Sequence, residues 1–287
     1  YADWLDHQHG IDAERTLRLA DTAASLRQDR LVVAFVAEFS RGKTELINAL
    51  FFADHGQRLL PSDVGRTTMC PTELGYNPDE APSLHLLPIE TRRRDASLAR
   101  LKRMPVEWCR VSLDPDDPRQ LQESLKKLTE TQPMPAVEAI ELGLWHGEDD
   151  SERHALRADG TVEVPVWRYA MVNYPHPLLQ AGLTILDTPG LNALGTEPEL
   201  TLSVIPGAHA VLFLLGTDTG VTRSDLEIWQ KHVHRHTNYH VAVLNKIDML
   251  WDELRNDVEV RATIERQAEE TARVLKLPRS SVFTVSA

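Results

Sequence analysis

Apolar residues recur along this chain in two rhythms. In IDAERTLRLADTAASLRQD (11–29), Ile11, Leu17, Leu19, Ala20, Ala23 and Leu26 form a broad stripe at helical spacing, which predicts an amphipathic helix. LVVAFVA (31–37) is instead one unbroken apolar run, the pattern of a strand buried on both faces. KTELINALFF starts a helix at Lys43. Residues 53–80 are rich in Gly, Pro, Asp and Thr and predict mostly loop. Strands are predicted at 83–90, 162–175 and 209–217, a short strand ending in a loop at 182–190, a strand followed by a loop at 239–250, and a last strand in SSVFTVSA (280–287); 224–236 predicts a helix and 251–277 is largely helical. Residues 91–160 hold polar DPDDPRQ, helix-like LQESLKKLTE and AVEAIELGLWH, a long insertion in an otherwise alternating pattern. Strands alternating with helices predict an α/β fold with a mainly parallel, doubly wound sheet, whose ligands bind beyond the carboxyl ends of its strands.

Composition narrows the partners. The 287 residues suit one large domain or two small ones. A formal charge of -12 lacks the basic balance of a general nucleic-acid surface, so no nucleic-acid partner is expected. Two cysteines, Cys70 and Cys109, cannot build a disulfide framework or a cysteine zinc cluster. With no apolar run of membrane-spanning length and no signal peptide, a cytoplasmic setting is expected. The start at Tyr1 and the end on a strand predict a fragment of a longer protein.

Three motifs fall at predicted strand ends. In AEFSRGKT, the backbone N–H groups of Glu38, Phe39, Ser40, Arg41 and Gly42 can wrap a phosphate at a helix start. Lys43 can reach the β- and γ-phosphates, and Thr44 can place its hydroxyl on Mg2+. Ala37 stands where G-x-x-x-x-G-K-[ST] has its first glycine; alanine serves there if its φ is negative. In LDTPG, Asp187 can hold Mg2+ through water and Gly190 can offer its N–H to a γ-phosphate. In NKID, Asp248 can accept from the guanine ring N–H and amine, the Lys246 stem can lie across the base, and Asn245 can brace the loop. Ser286 and Ala287 can offer backbone N–H to the guanine oxygen. In this order the motifs predict a GTP/GDP site with Mg2+.

The fuller strings resemble those of bacterial dynamin-like proteins. AEFSRGKTELINAL resembles their phosphate loop, G-E-F-S/N-x-G-K-S/T with L-I/L-N-A-L; LLPSDVGRTTMCPTEL resembles their first switch, P-x-T-T-x-x-P-T. YPHPLLQAGLTILDTPGL and DTGVTRSDLEIW resemble the segments leading into and beyond the second switch. The resemblance spans roughly residues 12–287, strongest at about 31–72 and 172–250. Ala37 departs from the usual glycine, Arg66 from the proline before the threonine pair, and Glu45 from a common Ser or Thr.

The resemblance implies a P-loop GTPase domain at 30–287 with its insertion between the two switches, and an N-terminal segment 1–29 that joins a hinge bundle. It implies Thr68 as a Mg2+ ligand that also positions water, with Thr67 as runner-up. The position of Phe39 is polar and catalytic in eukaryotic dynamins; phenylalanine cannot orient water by a side-chain hydrogen bond. Ser40 and Arg41 are then candidates for help in cis, Arg41 as charge stabiliser or as a contact across a dimer; a solvated Arg41 is the plainer alternative. Catalysis thus falls to Lys43, Thr68, Ser40, Arg41 and Gly190. The implied partners are a second copy through the nucleotide face and membrane lipid through regions outside this chain, giving a peripheral place at the inner face of the cell membrane. A slow GTP-binding switch or scaffold is the alternative, and a GTPase of ribosome assembly or translation a third reading that the acidic charge disfavours. Three histidines in KHVHRH (232, 234 and 236) read as a wet helix end in preference to a metal pair. Trp108 and Trp145 are expected to fill the insertion's core, and Trp4, Trp229 and Trp251 to pack.

Overall fold

The computed structural model describes residues 30–61, 70–94, 96–145, 156–189, 205–234, 239–251 and 256–287. The predicted helix at 11–29, Trp4, Thr67, Thr68 and Gly190 lie outside these residues. In chain order the main elements are β1 (Leu31–Ala37), α1 (Lys43–Phe51), β2 (Thr72–Gly75), β3 (Ser83–Pro88), β4 (Cys109–Ser112), α2 (Pro118–Leu125), β5 (Thr131–Pro135), α3 (Ala136–Glu141), β6 (Thr161–Pro165), β7 (Trp167–Asn173), β8 (Leu183–Asp187), β9 (Ala210–Gly216), α4 (Arg223–Ile228), β10 (His240–Asn245), α5 (Asp257–Leu275) and β11 (Val282–Thr284).

Nine strands make one sheet in the order β11-β10-β9-β1-β8-β2-β7-β3-β4. The five from β11 to β8 run parallel, and β2 pairs antiparallel with β8. β2 and β7 are parallel to each other, while β3 pairs antiparallel with β7 and β4. The mainly parallel sheet expected from the sequence is therefore mixed: five neighbouring strands are parallel, β2, β7 and β4 run against them, and β3 runs with them.

β1 buries both faces. Val33, Phe35 and Ala37 join one apolar cluster with Leu46, Ile47 and Phe51 of α1; Ala34 and Val36 join the other with Ala268, Ala272 and Leu275 of α5. Helices thus cover both faces, as the unbroken apolar runs require.

Several expectations are corrected or refined. The stretch 53–80 contains β2, whose alternation of two buried and two half-buried residues is too short to stand out; its neighbours β7 and β8 supply its ladder. Residues 162–175 form two strands, because Pro165 carries no N–H to continue a ladder and β7 leaves for the main sheet. The helix at 224–236 is α-helical only to Ile228 and continues as a π-turn over Trp229–Val233. The insertion divides between two cores. β4 edges the main sheet and α2 packs Leu121 and Leu125 into its core, while Met134, Ala139, Trp145, Val162 and Val164 close a satellite core under the β5–β6 pair. Trp145 fills that satellite core, but Trp108 packs edge-on against Tyr169 in the main one, and Trp251 is 57% exposed.

Candidate functional site

β1, β8, β9 and β10 point their carboxyl ends the same way, so the loops after them meet on one edge. The first is Glu38–Gly42. Ala37 is still in β1 and is not among the left-handed residues, so its missing glycine costs the turn nothing; Ser40 (φ 66°) and Gly42 (φ 80°) take the left-handed positions instead. Gly42 needs to be glycine on a second count, since a Cβ there would collide with Asn245 Nδ2. Gly42 caps α1, and Lys43 and Thr44 open it with both side chains buried.

Lys43 Nζ donates to Asp187 Oδ1 and to the Thr188 carbonyl. Asp187 ends β8, and Thr188 Oγ1 donates to the Phe35 carbonyl (2.8 Å), tying the second loop to β1. β2 starts opposite Asp187, with Thr72 in register beside it. Asn48, buried on α1, accepts from Leu59 N–H (3.2 Å) and Leu60 N–H (2.9 Å) and donates to the Leu60 carbonyl (3.0 Å). It anchors the chain on the near side of residues 62–69. The sequence reading missed Asn48, although a lone amide among Leu46, Ile47 and Phe51 is a visible signal.

The third loop follows β10. Asn245 is fully buried; its Nδ2 donates to the carbonyls of Arg41 (3.2 Å) and Gly42 (3.4 Å), and its Oδ1 accepts from Lys246 N–H (2.8 Å). One amide therefore joins the first and third loops. Lys246 is left-handed (φ 66°) and its ammonium pairs with Asp218 at 3.2 Å. Asp248 is exposed and accepts from Ser286 Oγ at 2.5 Å, while Ile247 N–H reaches the Val285 carbonyl at 3.2 Å. Ala287 is exposed at the end of this segment.

Arg41 is not solvated. Only 7% of it is exposed; Nη2 meets Glu38 (2.5 Å), Asp225 (2.9 Å) and Thr222 (3.4 Å), and Nη1 donates to Thr219 Oγ1. Glu38 thus turns its carboxylate onto Arg41. Thr222 and Asp225 form a capping box on α4, readable in advance as T-x-x-D before an apolar run. Phe39 is 41% exposed and, with Met249 (59%) and Trp251 (57%), puts large apolar side chains on this edge. His234 is exposed and its ring stacks on Trp229; a pairing of His232 with His236 lies outside the described residues.

The donor set fits a nucleoside polyphosphate: a left-handed turn at a helix start, a buried lysine, a hydroxyl and a carboxylate at one end, and an exposed carboxylate at the other. Comparison with known proteins supports the same conclusion. A bacterial dynamin-like protein of Nostoc punctiforme is 25% identical over 209 residues, covering 73% of this chain and 24% of the relative. The isoniazid-induced protein IniA of Mycobacterium tuberculosis is 37% identical over 90 residues, 30% of this chain and 14% of the relative. This chain therefore spans a quarter or less of either relative. A solved structure of an oligomerised bacterial dynamin pair, described as sensing and tethering membranes at long range, superposes with a TM-score of 0.56 at 17% identity; it covers all of this chain and 35% of the other, a likeness of fold. The model of the dynamin family matches residues 33–247, three quarters of the length, and the chain belongs to that family.

Proposed function

We propose that this chain is a GTPase domain that hydrolyses the β–γ bond of GTP. The observation that carries the reading is Asn245, which bonds the phosphate-loop carbonyls while opening the loop that holds Asp248. It joins a phosphate cradle to a base-reading carboxylate within one site.

Each residue then has a task. The N–H groups of Glu38–Gly42 receive the β-phosphate. Lys43 exchanges Asp187 and the Thr188 carbonyl for phosphate oxygens, so part of its binding energy is spent leaving a buried pair. Thr44, Thr68 and Asp187 are the residues that would hold Mg2+, which supplies charge stabilisation on the transferring phosphoryl when bound. Gly190 offers its N–H to the γ-phosphate, and Ser40 and the Thr68 carbonyl are the groups left to orient water. Asp248 selects guanine, with Ser286 holding its carboxylate and the Ser286–Ala287 backbone beside the base. The exposed Phe39, Met249 and Trp251 support a second copy as partner through this face, and membrane remodelling or tethering, the latter as described for the oligomerised bacterial dynamin pair, is the role proposed for the whole protein.

A slow GTP switch is the second reading, favoured by the apolar, half-exposed Phe39 where a polar side chain would orient water. Phosphate release from GTP and from ATP, with Mg2+, across a range of protein concentrations and with anionic liposomes, separates the two. Turnover that is specific for GTP and rises with protein concentration supports the enzyme; tight GDP binding without turnover supports the switch.

A further inference from the structure

The buried charges around Arg41 have an unusual arrangement. Glu38 and Arg41 are the first and fourth residues of a turn whose third residue, Ser40, is left-handed. Glycine or asparagine usually fills that position, because a Cβ strains it. Here the Glu38–Arg41 ion pair spans the turn and closes it. The same guanidinium reaches across the fold to Asp225 and Thr219, some 180 residues away. The match is incomplete: Arg41 Nε and Asp225 Oδ1 are buried with no hydrogen-bond partner among the described residues, while Asp225 Oδ2 accepts from Arg41, Thr222 N–H and Thr222 Oγ1. The pair is held by the loop that carries Arg41 and the first turn of α4 that carries Asp225, not by an ideal two-pronged contact.

We propose that Arg41 is a positioning residue which clamps the left-handed turn of the phosphate loop onto the loop after β9, so that contacts made by residues 217–222 set nucleotide affinity. This rests on the GTPase reading above. The guanidinium is committed to four oxygens on Glu38, Thr219, Thr222 and Asp225, so it acts on the phosphate through the backbone of residues 38–42. Lysine cannot replace it, since one ammonium does not span Glu38, Asp225 and Thr219 together.

GDP binding, measured by calorimetry with Mg2+, and GTP turnover test the proposal, with thermal unfolding as a check of folding. Asp225→Asn decides the sign. If Arg41 serves phosphate directly and Asp225 restrains it, Asp225→Asn holds or raises GDP affinity; if Arg41 positions the loop, affinity falls, by roughly tenfold for a lost buried charge partner. Arg41→Met lowers affinity similarly, and adding Ser40→Gly recovers most of that loss, because glycine holds positive φ without the clamp. Thr219→Val, on an exposed side chain, keeps the test alive should the buried variants misfold, and lowers affinity by about twofold to threefold. Unchanged affinity in Thr219→Val and Asp225→Asn overturns the proposal. So does an Arg41→Met variant that loses turnover at full GDP affinity with no rescue by Ser40→Gly. If the unaltered chain binds no guanine nucleotide, it is the GTPase reading that falls.

Discussion

The two halves of the main sheet handle paired charge differently. In the parallel half, Arg41, Lys43, Asp187 and Asp225 sit at a strand end, in a loop beyond one or at a helix start, and two of the three left-handed non-glycine residues described, Ser40 and Lys246, sit with them. In the other half, Glu73 of β2 meets Lys102 (2.6 Å) and the Tyr169 hydroxyl of β7 (3.3 Å) on the face of the sheet, with the Lys102 ammonium 4.7 Å above the Tyr169 ring. No left-handed non-glycine residue is described around that second cluster. Left-handed backbone and exchangeable partners mark the half proposed to accept a nucleotide; the second cluster, partly open to solvent, pairs its charges without such backbone strain.

Breaking the first half at its centre has the largest expected effect. Lys43→Met abolishes GTP turnover and lowers ligand-free stability by about 3–5 kcal/mol, since Asp187 loses its buried ammonium. Adding Asp187→Asn recovers stability in urea unfolding without recovering turnover. If Lys43→Met were fully stable, Lys43 and Asp187 would not be the charge store this contrast requires. Next comes Asp248→Ala, which weakens GDP binding by about 2–3 kcal/mol and leaves the feeble binding of ADP unaltered, as competition titration can read. Gly42→Ala meets both a left-handed φ and Asn245, and lowers GDP affinity by about 2 kcal/mol with a parallel loss in unfolding midpoint.

The smallest effect belongs to the second half and sharpens the contrast. Burial pushes the Glu73 carboxyl up, but the Lys102 charge and hydrogen bond, with Tyr169 and Arg30, outweigh it and hold Glu73 below its ordinary value near 4.5. A carboxyl lowered on folding adds stability above that ordinary value, and the contribution is lost as pH falls through the folded value. Lys102→Met therefore costs about 1 kcal/mol at neutral pH, given partly exposed heads, and the gap to the unaltered chain closes below about pH 4.5. Thermal unfolding against pH reads this directly. GDP affinity stays as it was; a change would mean the two halves are coupled.

The legible parts of the chain were those whose signal is local. LVVAFVA declares a buried strand by its unbroken run, and GKT, DTPG and NKID each follow a strand, which places them on one edge of any doubly wound sheet. β2 was not legible because four residues between two longer strands carry too little periodicity, and the β6–β7 break hid inside a continuous apolar stretch. The solvated alternative for Arg41 fails for a related reason: an arginine in a glycine-containing loop looks wet until the chain some 180 residues later brings Thr219 and Asp225 against it.

By itself, then, the sequence determined the alternation of elements, the three loop chemistries and their order, because backbone propensity and hydrophobic period act over a few residues. The tertiary structure alone decided the reversal of the sheet after β8, the transfer of β4 and α2 from the insertion into the main domain, and the partners of Lys43, Arg41 and Asn245. Strand pairing and charge pairing both depend on which distant segment arrives, and that follows from closing the two apolar faces of one sheet, not from any single stretch of the chain.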